Sequence, residues 1–61
     1  MKLHRLRKGR YTTIINGECY TIIHSLHWDI YNDNWERIAF TYTLTDARAL
    51  LEEIIKGGLP I

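Results

Sequence analysis

A single cysteine in 61 residues excludes an internal disulfide, so no covalent staple within the chain helps to hold the fold together. A lone thiol, Cys19, fits a reducing compartment better than a secreted one, and the chain is expected to be cytoplasmic. Long apolar runs are missing as well. The longest purely aliphatic stretches are two or three residues, such as Ile14-Ile15 and Ala49-Leu50-Leu51, so no membrane-spanning helix is expected. The basic start resembles the positive region of a signal sequence, but Tyr11-Thr12-Thr13 follows where an apolar segment belongs. There is no internal repeat, no low-complexity linker, and no acid among the first ten residues.

Those ten residues hold the most information. Lys2, Arg5, Arg7, Lys8 and Arg10 give them a formal charge of +5. The remaining 51 residues set Arg37, Arg48 and Lys56 against seven acids, a charge of −4. The overall +1 therefore hides a basic N-terminal arm, residues 1–9, joined to one small acidic domain, residues 10–61. Coulomb attraction to phosphate is screened within roughly 8–10 Å, so segregated charge is a better pointer to polyanion contact than net charge.

An apolar content of 46 % marks a globular chain. Asn16-Gly17 between two β-rich runs predicts a type I′ hairpin, because both turn positions need positive φ. That turn pairs Ile15 with Glu18 and Tyr11 with Ile22, which sets Tyr11, Thr13, Tyr20 and Ile22 on one face. A second hairpin is expected around Asn32-Asp33-Asn34, pairing Tyr31 with Trp35, Asp29 with Arg37, Trp28 with Ile38 and Leu26 with Phe40. His24-Ser25 is read as a bend in one long middle strand. Thr45 is the expected N-cap of a helix, with Leu44 as staple and Asp46 in the first turn. Ala47, Leu50, Leu51, Ile54 and Ile55 form its apolar stripe, Glu52 and Lys56 pair at i,i+4, and Gly57-Gly58 with Pro60 stop it. Leu59 and Ile61 are expected to fold back onto the sheet edge.

The expected class is α+β: a three-stranded antiparallel β-meander with one C-terminal α-helix packed on one face, in the order βββα. Under the helix it places Tyr20, Ile22, Leu26, Trp28, Ile30, Ile38, Phe40 and Tyr42. The other face is then open and carries Arg10, Thr12, Ile14, Cys19, Thr21, Ile23, Ser25, His27, Asp29, Tyr31, Trp35, Arg37, Ala39 and Thr41. Polar side chains alternating with aromatics suit base edges, base stacking or protein hot spots. The strand-to-helix junction, Tyr42-Thr43-Leu44-Thr45-Asp46-Ala47-Arg48, has the form aromatic-Thr-Leu-x-acid-Ala-Arg. With the three strands before it, it resembles the arm-binding N-terminal domains of phage-type tyrosine recombinases over residues 10–57. That resemblance implies an open sheet face inserted into a DNA major groove.

No catalytic or metal signature accompanies these features. His24 and His27 are three apart in the expected middle strand and so face opposite ways, and with Cys19 they make a poor ligand set. No catalytic residue, metal or cofactor is expected, and an enzyme is not. The expected function is a small binding domain, nucleic-acid-associated in the manner of a phage or mobile-element accessory protein. Arg5, Arg7, Lys8 and Arg10 are the expected phosphate contacts, and Thr12, Thr21, His27, Tyr31, Trp35, Arg37 and Thr41 the expected source of specificity. The alternative is a protein-interaction module, an inhibitor or adaptor, working through the same face or an edge strand. Partner classes are thus DNA or RNA, a host protein, and a second copy of the chain as a homodimer, with no membrane among them.

Overall fold

The computed structural model of the chain describes residues 2–56, with side chains described to residue 54. Five strands run in sequence order through one antiparallel sheet: β1 (His4–Arg7), β2 (Arg10–Ile15), β3 (Glu18–His24), β4 (Trp28–Tyr31) and β5 (Arg37–Thr41). A single helix, α1 (Leu44–Lys56), follows them. The three-stranded βββα meander expected from the sequence is therefore replaced by a five-stranded sheet with a C-terminal helix. The resemblance to recombinase arm-binding domains rested on three strands and does not survive this count.

The β2–β3 hairpin has the expected register, Ile15↔Glu18 through Tyr11↔Ile22 and on to Arg10↔Ile23. Asn16 and Gly17 take φ of 52° and 80°, as a type I′ turn requires. The two additional strands come from turns at either end of it. Lys8-Gly9 closes β1 onto β2 with Arg7 opposite Arg10, and Gly9 has φ 77°. The Gly9 carbonyl also accepts the His24 amide at 2.8 Å, which ties this turn to the far end of β3.

The long middle strand is really a hairpin. Ser25, Leu26 and His27 form its tip, the Ser25 amide donates to the His27 carbonyl at 2.8 Å, and His24 pairs with Trp28. The two rings of that pair stack at 4.3 Å and 11°. Leu26, expected under the helix, stands on the tip and is 98 % exposed.

The β4–β5 hairpin also departs from the expected register. Trp28 lies opposite Thr41, Asp29 opposite Phe40 and Ile30 opposite Ala39, whereas Tyr31 lies opposite Arg37. The step between the last two pairs leaves Ile38 as the extra residue of a β-bulge. The rest of the departure comes from the loop. The Asn32 side-chain oxygen accepts the Asn34 amide at 3.0 Å and the Glu36 amide at 2.9 Å, and the Asn32 amide donates to the Glu36 carbonyl at 3.0 Å. Asn32 thus closes the loop instead of opening it, and the loop residues become Asp33, Asn34 and Trp35. That closure moves the pairing by two residues and leaves each side chain on its expected face; the extra residue at Ile38 then turns Ala39 and Thr41 toward the helix side and Phe40 to the open face. Tyr42, also expected inside, is 79 % exposed.

The core lies between the sheet and α1. Ile22, Ile30, Ala47 and Leu51 are fully buried, and Ile15 and Tyr20 nearly so. Leu3, Tyr11, Trp28, Ile38, Ala39, Leu44, Leu50 and Ile54 pack around them. The expected helix stripe is present as far as its side chains are described. Its cap is not the expected one. Thr43 Oγ1 accepts the Asp46 amide at 3.0 Å, so Thr43 is the N-cap, Leu44 is the first helical residue and Asp46 sits at N3 facing the helix dipole. Arg48 and Glu52 approach at 3.6 Å as an i,i+4 pair. The Glu52–Lys56 pair, Ile55 in the stripe, the Gly57-Gly58-Pro60 stop and the return of Leu59 and Ile61 lie outside the described residues and side chains.

Candidate nucleic-acid interface

Among the described residues, no element covers the sheet face opposite α1. Antiparallel partners share a face, so the registers order this surface into rows. One row crosses all five strands as Arg7, Arg10, Ile23, Asp29 and Phe40. The next runs through His4, Thr12, Thr21, Tyr31 and Arg37. A shorter one holds Ile14 and Cys19.

Asp29 is the only acid that the strands put on this face, and it is buried at 6 % exposure. An isolated buried carboxylate is costly; two groups offset the cost here, and a third lies against it. Ser25 Oγ donates to Asp29 Oδ2 at 3.1 Å, Arg37 Nη1 approaches Oδ1 at 3.5 Å, and His27 Nδ1 lies 2.8 Å from Oδ1. The expected Asp29–Arg37 contact therefore exists, although the bulge makes it diagonal. The His27 approach is an ion-pair distance and not an aligned hydrogen bond. Ser25 and His27 converge on the same carboxylate and have no bond to each other, so these three residues do not form a nucleophile–base relay.

Aromatic rings flank this cluster on two sides. His27 and Phe40 lie 4.5 Å apart, Phe40 meets Tyr42 edge-on at 5.9 Å, and the Arg37 guanidinium stands 5.7 Å from the Phe40 centroid. On the other side Tyr31 and Trp35 are 6.2 Å apart, and the Arg10 guanidinium stands 5.7 Å from the Trp35 centroid. Two ring–guanidinium pairs thus bracket a carboxylate that is itself paired with Arg37 and Ser25. Arg10 Nε is buried and finds no hydrogen-bond partner among the described residues.

Trp35 has an unusual backbone. Its φ is 61°, the left-handed region that costs a bulky L-residue roughly 1–2 kcal/mol. A three-residue hairpin loop ordinarily places glycine or asparagine there. Here a tryptophan takes the position and remains 58 % exposed.

The expected contact residues divide by placement. Arg7, Arg10, Thr12, Thr21, His27, Tyr31 and Arg37 share the open face, and Trp35 reaches it from the loop. Lys8 is exposed in the β1–β2 turn, and Arg5, opposite Tyr11, stands on the helix side of the β1 edge. Thr41 lies opposite inward-facing Trp28, on the helix side, and its hydroxyl donates to the Thr43 carbonyl at 2.8 Å. Thr12 is partly occupied as well. It donates to the Tyr20 carbonyl at 3.1 Å, which leaves the Cys19 thiol as donor in the 3.2 Å Thr12–Cys19 contact.

Sequence reasoning missed Phe40, which reaches the open face through the bulge at Ile38, a feature with no local signal in the sequence. Among the described residues no group of three or more His, Cys, Asp or Glu is placed to hold a metal ion, and no helix is long and apolar enough to cross a membrane. Comparison with family models, with curated proteins and with solved structures gives no match for this chain.

Proposed function

We propose that the chain is a small non-enzymatic binding module that takes nucleic acid on its open sheet face, with the basic β1 edge against phosphates. The observation that supports this most is the make-up of that face. Arg7, Arg10 and Arg37 share it with Tyr31, Trp35 and Phe40, and its one acid is buried under His27 and Arg37. Arginine beside aromatic rings serves phosphates and bases at once. Arg5 and Lys8 extend the positive charge along the β1 edge, while α1 with its acids packs over β4 and β5.

Fluorescence anisotropy with mixed oligonucleotides at two salt concentrations tests the proposal. Replacing Arg5, Arg7 and Lys8 together by alanine should weaken binding and reduce the salt slope by about two to three, at roughly 0.7–0.9 per phosphate contact. Absence of binding at roughly 50 mM salt, where counterion release favours association most, contradicts the proposal. A protein-interaction module is the second reading, favoured by Leu26 and Tyr42, which stand exposed at the same end of the sheet as Phe40. Capture of a protein partner that persists after nuclease treatment, with no oligonucleotide binding, would favour that reading.

A further inference from the structure

Resting on that proposal, we infer that the ligand is a single strand, DNA or RNA, whose unpaired bases stack at two stations, Trp35 and Phe40. Width is the first argument. Five strands about 4.8 Å apart place the outer strands roughly 19 Å from each other, against a major groove about 12 Å wide. A two-stranded ribbon enters that groove; this sheet, presented by its face, does not. A flat strand of nucleotides has no such limit, and it exposes the base faces that a duplex hides.

The second argument is the conformation of Trp35. A left-handed position that glycine fills without strain is held by the largest side chain, with more than half of it in solvent. Trp35 is not among the side chains packed on the core, and its ring lies beside Tyr31 and the Arg10 guanidinium. Strain retained at an exposed ring is expected where the ring receives something. The third is Arg10, whose buried Nε lacks an acceptor among the described residues. A base or phosphate arriving on Trp35 brings acceptors within reach of a small reorientation of that guanidinium. Phe40, with Arg37 at 5.7 Å, repeats the same ring–guanidinium unit on β5.

The test compares oligo-dT, oligo-rU and a mixed-sequence duplex of equal length at one salt concentration, using the full chain. The expected result is tighter binding of a single strand than of the duplex, with tryptophan fluorescence quenched on binding. Trp35→Gly suits the backbone it enters, so it should keep the circular dichroism melt while losing about 5- to 150-fold in single-strand affinity, the worth of one base stack. Phe40→Ala should lose a similar factor and gives an independent arm. Duplex bound as tightly as either single strand overturns this inference and leaves the nucleic-acid proposal standing. So do Trp35→Gly and Phe40→Ala proteins that bind single strands normally. Failure of every oligonucleotide to bind takes both down.

Discussion

Among the described side chains of α1, Leu51 is the one large residue that is fully buried, and it anchors the helix to the sheet. Leu51→Ala removes three carbon atoms. At roughly 0.8 kcal/mol per buried methylene this forfeits about 2.4 kcal/mol of transfer free energy before any cavity forms. Its neighbours Ile22 and Ile30 stand on strands hydrogen-bonded on both sides, so the sheet has little freedom to collapse into the gap. The full cost should therefore fall in the upper part of the usual range, about 3–5 kcal/mol. A chain of 61 residues has a total stability of about 3–9 kcal/mol, so the substitution should remove from about a third of it to all of it. Urea unfolding followed by far-ultraviolet circular dichroism measures the loss as a fall in midpoint at constant slope. Tyr42→Ala, at an exposed position, is the control and should stay within about 0.5 kcal/mol. A loss below about 1 kcal/mol for Leu51→Ala would show that α1 is not seated on this core.

Two further outcomes follow from local geometry. Thr43→Ala should cost about 0.5–2 kcal/mol by removing the N-cap, while Thr45→Ala should cost less than about 0.5, and thermal melts in the reverse order would return the cap to Thr45. Tyr20 is held above its ordinary pKa of 10.0, first by burial and then by the charge of Glu18 and a hydrogen bond to it at 3.4 Å. Because the folded state keeps this proton longer than the unfolded chain does, the contribution is complete below about pH 10 and fades as pH rises through the raised folded value. Tyr20→Phe should therefore flatten the alkaline decline in melting temperature, and an unchanged decline would assign it to other groups.

Parts of the fold were legible in the sequence for clear physical reasons. Asn16-Gly17 suits positive φ at both positions, and that alone set the register of β2 on β3. Ala47, Leu50, Leu51 and Ile54 recur at helical spacing, so α1 was visible even though its cap was placed two residues late. The strand β1 was hidden because His4-Arg5-Leu6-Arg7 lacks an apolar face and is a strand only through pairing with β2. The β3–β4 hairpin was hidden because its tip, Ser25-Leu26-His27, contains neither glycine nor asparagine, and Leu26 beside Trp28 mimics a continuing apolar run. The open face was half legible. Its β2 and β3 members follow from the Asn16-Gly17 turn, whereas Phe40 reaches it only through the bulge at Ile38.

The most direct measurement is a titration of the labelled protein with oligo-dT at low salt, followed by amide and indole NMR shifts. Binding on the open face should move the amides of Thr12, Thr21, Tyr31 and Phe40 and the Trp35 indole, and leave Ala47 and Leu51 in place. Shifts concentrated on α1, or no shifts at all under these conditions, would contradict the assignment of the open sheet face as the nucleic-acid surface.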